Sequence, residues 1–219
     1  MDNETARLVE RSRREIAAQE SENRFLRLLE AGEVPAERLG WLAGELVRLV
    51  RSDQRSFALL ASRFPSPPAG ELFLAMAGGE AEALRLLGVF AAEVGMGERE
   101  LAAYEPRALT QAYPAFLTQV ALWGSSGAAA LALLANAAES GATYTRVADA
   151  LRSRYGLTEE SVAHFRYFAE TPQELLDQAA AVVAAGRACG EDSDEAVRTA
   201  RIVHALEATF WTAMAEGLG

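Results

Sequence analysis

An all-α fold is predicted by three observations. Apolar residues return at three- and four-residue spacing through nearly the whole chain, as in Leu39, Leu42, Leu46, Leu49, Phe57 and Leu60. Alanine is abundant and runs of β-branched residues are absent, which favours helix over sheet. Short clusters of Gly, Pro and Ser separate the periodic stretches, as the turns of an antiparallel bundle would.

Taken in order, the first stretch covers Glu4 to Ala31 with a break near Ser21, and Gly32 ends it. Phe25, Leu26 and Leu29 are its core contacts. Pro35 opens a second helix at an early position, where its missing N–H does no harm, and Pro65-Ser66-Pro67-Pro68 stops that helix after Phe64. A third runs from Ala69 to Val94 with Gly78-Gly79 as a weak point, and Gly95-Met96-Gly97 separates it from a short piece ending near Tyr104. Pro106 marks the next turn. The most apolar helix is expected over Leu109 to Ser140, and another over Tyr144 to Tyr155 that Gly156 terminates. Thr158, Glu159 and Glu160 suit the start of a helix carrying His164. Pro172 starts a stretch that reaches Ala185, Gly186 to Gly190 interrupt it, and Ser193 and Asp194 are placed to cap a last helix running to Glu216. The expectation is a bundle of roughly seven to nine helices.

The 219 residues suffice for one domain around one large core, and no compositional shift divides them. Formal charge is −10, and every basic residue except the two histidines is arginine, since lysine is absent. An acidic surface repels phosphate backbones and anionic lipid, so no direct nucleic-acid or membrane partner is expected. The apolar stretch from Tyr113 to Ala138 is broken by Gln119, Gly124, Ser125, Ser126, Gly127 and Asn136, as a buried helix would be and a membrane span would not. The N-terminus is charged throughout, without a signal-peptide core, and the single Cys189 has no disulfide partner in the chain; a cytoplasmic location is expected.

Two acids break the helical pattern. Asp53 occupies a slot on the Leu39 to Leu60 stripe where a leucine belongs, and Glu207 stands between Val203, Phe210 and Met214 on the stripe of the last helix. Both carboxylates should point inward, which is costly unless they are neutralised or hydrogen-bonded. Arg51 or Arg55 turned inward could pair with Asp53. Otherwise two inward acids on different helices mark a polar site in the bundle, suited to a proton donor and acceptor or to recognising the N–H groups of an aminopyrimidine-like ring. His164 and His204 read as core or surface histidines, and Cys189, in a turn with no histidine nearby, is no catalytic thiolate. Trp41, Tyr113, Trp123, Tyr167, Phe168, Phe210 and Trp211 read as core, with Tyr113 and Phe210 the two suited to a ligand wall. Phosphate loop, nucleophile elbow and zinc spacing are all absent.

Three segments in this order resemble the TenA/thiaminase II (TENA/THI-4) family, whose fold is the haem-oxygenase-like helical bundle: Ser52-Asp53-Gln54, Tyr113-Pro114-Ala115-Phe116-Leu117, and Glu207-Ala208-Thr209-Phe210-Trp211. The resemblance implies a pocket for an aminopyrimidine or related small heteroaromatic ligand. Asp53 and Glu207 would contact the ring and carry out any catalysis, and Tyr113 and Phe210 would wall it. It also implies thiamine salvage chemistry without cofactor or metal, and a homotetramer or homodimer. Three positions depart from the family pattern. Asn136 lies where thiaminase II has its cysteine and would contact the ligand from there, Ser140 replaces a pocket tyrosine one turn further on, and Ser56 stands where an aromatic is expected one turn beyond Asp53. Hydrolysis would then rest on carboxylates, with Asp53 holding the ring and Glu207 moving the proton. The alternative is a sensor or assembly protein that kept the pocket and lost turnover. A further alternative is an iron-dependent oxidase of the PqqC-like branch, similar at Ala150-Leu151-Arg152-Ser153-Arg154-Tyr155-Gly156-Leu157; that branch has a histidine-rich later helix, and Phe165 to Asp177 contains no histidine.

Overall fold

The computed structural model describes residues 1–19 and 22–218. Ten α-helices and one 3₁₀ turn make up these residues, with no strand among them: α1 Asn3–Ala17, α2 Arg24–Ala31, α3 Ala36–Arg63, α4 Ala69–Glu93, α5 Glu98–Ala103, the turn Leu109–Gln111, α6 Ala112–Trp123, α7 Ser126–Tyr155, α8 Ala163–Ala169, α9 Gln173–Ala188 and α10 Ser193–Met214. The expected break near Ser21 lies outside the described residues. Asn23 caps α2, accepting from the Leu26 N–H at 3.0 Å, and Gly32 closes it in the left-handed region. Phe25, Leu26 and Leu29 are fully buried, as their spacing predicts.

The long antiparallel pair α3 and α4 forms one side of the bundle, and α7 packs against α8, α9 and α10 on the other. Helix α4 passes through Gly78-Gly79 without interruption. The main correction concerns the apolar middle of the chain. The break expected between Ser140 and Tyr144 does not occur; it falls at Gly124-Ser125 instead, and α7 runs unbroken for 30 residues. Ser125 caps α7 by accepting from the Ala128 N–H at 3.2 Å. The Glu191 carboxylate adds to this cap, taking the Gly127 N–H at 2.8 Å and the Ser126 hydroxyl at 2.9 Å, where the helix dipole favours an anion. Arg63 closes the end of α6 through the carbonyls of Ala121 and Gly124 at 2.6 and 3.0 Å. Gly141 serves packing and is not a breaker: a Cβ there would lie 2.5 Å from the Ala169 carbonyl oxygen, so its absence lets α8 seat on α7.

Three smaller expectations are corrected. The last helix is capped by Asp192, which accepts from the N–H groups of Asp194 and Glu195, one position before the Ser193 and Asp194 expected to cap it. Helix α9 continues through Gly186 to Ala188, because Gly186 makes room for Glu191. Trp123 is 80% exposed and Tyr167 40%, so neither belongs to the core. Trp123 is the last residue of α6, beyond which no neighbour covers the ring.

Glu45 is the other acid that shapes the fold. It is fully buried on α3 and accepts four hydrogen bonds, from the Tyr104 hydroxyl (2.8 Å), the Arg107 N–H (2.7 Å), the Thr110 hydroxyl (2.6 Å) and the Gln111 amide (2.9 Å). The Tyr104 ring lies against Gly44, where a Cβ would sit 2.6 Å from it. This staple holds the connection between α5 and α6 on α3 and sets the entry of α6, and with it the position of Tyr113.

Candidate functional site

Where α3, α4, α6, α7 and α10 converge they leave a cavity of about 180 Å³. An enclosed cavity of about 150 Å³ holds benzene, so this space suits one substituted six-membered ring. All five residues predicted from the sequence border it: Asp53 from α3, Tyr113 from α6, Asn136 from α7, and Glu207 and Phe210 from α10. No arginine or histidine lines it among the described residues.

Asp53 is 4% exposed, and its Oδ1 atom has no hydrogen-bond partner. Arg51 and Arg55 stay exposed on the outer face of α3, so the inward ion pair considered for Asp53 does not form. Burial raises the Asp53 carboxyl well above its ordinary range, the nearby Glu80 raises it further, the Tyr113 hydroxyl pulls the other way, and Glu207 adds a weaker push. Glu207 is held by the Ser140 hydroxyl, which lies 2.7 and 2.8 Å from its two oxygens. Burial pushes Glu207 up to about 7; the Ser140 hydrogen bond opposes this, and Glu139 adds to it. Glu207, Ser140 and Trp211 also border a second cavity of about 60 Å³ that Glu139, Thr143 and His204 help to line.

Asn136 is 6% exposed. Its Nδ2 donates to the carbonyls of Ala132 at 2.8 Å and Ala200 at 3.2 Å, which fixes the orientation of the amide and leaves Oδ1 without a partner. The wall therefore presents acceptors.

Glu80 of α4 is a third acid in the same cavity, and the sequence reading did not single it out. Burial pushes its carboxyl up to about 8, and no hydrogen bond or ion pair holds it among the described residues. Its signal is the one that marks Asp53: Phe73, Met76, Glu80, Ala83 and Leu87 follow three- and four-residue spacing, with the acid in an apolar slot. Treating Gly78-Gly79 as a weak point obscured that stripe.

Aromatic rings reach the cavity from positions near Ser56 and Ser140. Ser56 faces Thr118 on α6, with its hydroxyl 3.2 Å from the threonine oxygen, and does not line the cavity. Phe57 lines it instead. Ser140 does line the cavity, and one turn on Tyr144 brings a ring and a hydroxyl to the same wall, packing edge-on against Trp211. Burial, then Glu207, Glu80 and Asp53, raise the Tyr144 hydroxyl well above the usual phenol range.

His164 is buried behind Tyr144 and Phe168, outside the cavity lining. Its Nδ1 lies 2.9 Å from the Ala83 carbonyl, which makes it the protonated nitrogen and leaves Nε2 without a partner. Burial lowers its pKa to about 4, so the ring is neutral. His204 is buried, with Nδ1 3.6 Å from a Glu139 oxygen. Cys189 is exposed. No group of three or more His, Cys, Asp or Glu residues is arranged to hold a metal ion among the described residues, and no helix among them is long and apolar enough to cross a membrane.

The sequence pattern of the TENA/THI-4/PQQC family matches residues 10–217. No curated protein matches the chain. Among solved structures, the chain is similar to a domain of unknown function with a haem oxygenase-like fold from Shewanella denitrificans, at 15% identity and a TM-score of 0.76, covering 98% of this chain and 92% of that one. It is also similar to a TenA homologue from P. horikoshii (16% identity, TM-score 0.64, 97% and 96% covered). A third is a TenA family transcription regulator from a Silicibacter species (19% identity, TM-score 0.64, 97% and 94% covered). At these identities the likeness to the solved structures is one of fold.

Proposed function

Because the chain belongs to the TENA/THI-4/PQQC family, we propose that its cavity binds an aminopyrimidine or a closely related small heteroaromatic. The observation that carries this reading is the set of unpartnered acceptors around a ring-sized space: Asp53 Oδ1 and Asn136 Oδ1 have no protein donor, and Glu80 has none among the described residues. Acceptors buried without donors are costly, and a ligand bearing several N–H groups relieves that cost. Phe57, Tyr113, Tyr144 and Phe210 wall the space with aromatic rings. A phosphorylated ligand would add negative charge to three acids with no basic side chain beside them, so the unphosphorylated form is the expected one.

In turnover, Asp53 would hold the ring through its N–H groups while Glu207 handles the proton. With its pKa raised to about 7, Glu207 is poised to accept and release a proton at neutral pH. Water would form a new C–O bond at the methylene carbon attached to the ring as the bond to the leaving group breaks. Glu207 would take the proton that water loses and, where the leaving group is an amine, deliver it to that nitrogen. No cofactor takes part. The second reading, a sensor that binds without turnover, is favoured by Asn136. Its amide is locked by two carbonyls at the position of the family's cysteine and offers no nucleophile.

Calorimetric titration with the aminopyrimidine half of thiamine, on the wild type and on Asp53→Asn, tests the common part of both readings. Micromolar binding that the variant loses supports it, and absence of binding to the wild type overturns it. Product formation then separates the two: hydrolysis lost in Glu207→Gln supports the enzyme, hydrolysis untouched by that change refutes the role given to Glu207, and binding without product supports the sensor.

A further inference from the structure

We infer that Glu80 and Asp53 act together as a two-carboxyl clamp for a positively charged amidine-type group, so that the ligand is held as a cation and not as a neutral ring. The inference takes the location of the site from the reading above and adds a residue and a charge state to it.

The geometry places both side chains in the one cavity, from the adjacent helices α3 and α4. Asp53 is 96% removed from solvent with Oδ1 unpartnered, and Glu80 makes no hydrogen bond or ion pair among the described residues. Asn136, equally buried, turns only its oxygen free. The titratable groups that face the pair are Tyr113 from α6, Tyr144 from α7, Glu207 from α10 and, beyond Gly79, Tyr167 from α8. All are acids, and none of the cavity-lining side chains is basic. Of the two neighbouring carboxyls, Glu80 weighs more on Asp53 than Glu207 does.

Two carboxyls in one cavity without a cation beside them resist ionising together, each pushed up by burial and Asp53 further by Glu80, so the pair favours holding a proton at neutral pH. An amidinium changes that balance. It brings a delocalised positive charge and coplanar N–H groups, the complement of a carboxylate edge. A neutral carboxamide of the same shape brings neither the charge nor the full set of donors. Binding the cation therefore expels roughly one proton from the pair at neutral pH, and the affinity for it rises as the pair ionises.

Benzamidine, which stays cationic throughout pH 6 to 8 and carries a single ring, and benzamide, its neutral isostere, are the probes. Calorimetry at pH 7 should show benzamidine bound about tenfold or more tightly than benzamide. Its binding heat should differ between phosphate and Tris buffers as proton release requires. In Glu80→Gln the preference and the proton release should both fall away. Benzamide binding as well as benzamidine, or an unchanged preference in Glu80→Gln, overturns the inference. The wild type alone supplies a second test: benzamidine affinity should climb between pH 6 and 8, and a flat profile overturns the inference whether or not the variant folds. The two readings fail separately. Aminopyrimidine binding that needs Asp53 but is indifferent to Glu80→Gln removes the clamp and leaves the ligand class standing. Glu80-dependent benzamidine binding with no affinity for aminopyrimidine does the reverse.

Discussion

Glu80→Gln should make the protein more stable in alkaline solution while leaving it unchanged in acid. A carboxyl whose pKa is raised by folding binds its proton more tightly in the folded chain than in the unfolded one. Its stabilising effect is therefore complete below the ordinary glutamate value of 4.5 and is lost as pH rises toward the folded value of about 8. At ~1.4 kcal/mol per pH unit, that span sets a ceiling of ~5 kcal/mol. Glu80 is only half-buried and water can enter the cavity beside it to screen its charge, so we expect ~1–3 kcal/mol. For a chain of this size the gain corresponds to roughly 3–10 °C in Tm. Thermal unfolding followed by circular dichroism at pH 5 and pH 9 on wild type and variant gives the comparison, and every group that does not interact with Glu80 cancels from the difference. A variant whose Tm differs from that of the wild type by the same amount at both pH values would show that Glu80 is solvated, and the account of the cavity as a chamber that resists charge would be wrong. The expected gain also bears on purpose: a residue that lowers stability and makes no hydrogen bond or ion pair among the described residues is suited to a partner that arrives from outside.

Gly141→Ala should cost ~1–3 kcal/mol through the 2.5 Å approach of the new Cβ to the Ala169 carbonyl. Denaturant melts should show it, and a neutral result would mean that α8 can move away from α7 freely. His164 is buried neutral, so its contribution is complete above the ordinary 6.5 and is lost as pH falls toward about 4. His164→Phe should therefore flatten the acid side of the stability profile between those values, and an unchanged acid limb counts against the burial. Asn136→Cys puts a thiol where the family's nucleophile belongs. If the pocket binds thiamine compounds and lacks only that group, the variant should release products faster than the wild type in a chromatographic assay, and equal rates would place the deficit elsewhere in the wall.

The fold class and the inward acids were legible because burial follows a helical period that any interruption reveals: Asp53 and Glu207 each fill a slot between leucines, valines or phenylalanines. Glycines were the source of the errors. Gly124, Gly141 and Gly78-Gly79 look alike in sequence, yet the first precedes a serine cap, the second admits the end of α8 and the last pair leaves α4 intact. Only tertiary contacts distinguish them. Misplacing the break between Ser140 and Tyr144 separated Tyr144 from the helix that carries Asn136 and Ser140, and weakening α4 at Gly78-Gly79 hid Glu80. The free oxygen of Asn136 was legible only in part, since its amide donates to the Ala132 carbonyl one turn back but also to the Ala200 carbonyl of α10, 64 residues away.

The acids in this protein differ in what answers them, and that difference separates framework from site. Glu45 is the most deeply buried, yet it receives four donors from one connection and so fixes a loop. Glu191 receives a hydroxyl and a backbone N–H at the start of α7 and so anchors a helix. Each carboxylate is balanced within the fold, and removing either would release a segment. Glu207 is answered in part, by one serine; Asp53 and Glu80 are answered least, and the nearest strong influence on Asp53 is another acid. Folding alone gives no reason to hold three such groups around a space the size of one ring. A ligand that supplies N–H donors and positive charge would remove the imbalance, and the number of acids left unanswered, more than any single residue, is what supports the proposal that this cavity is the binding site.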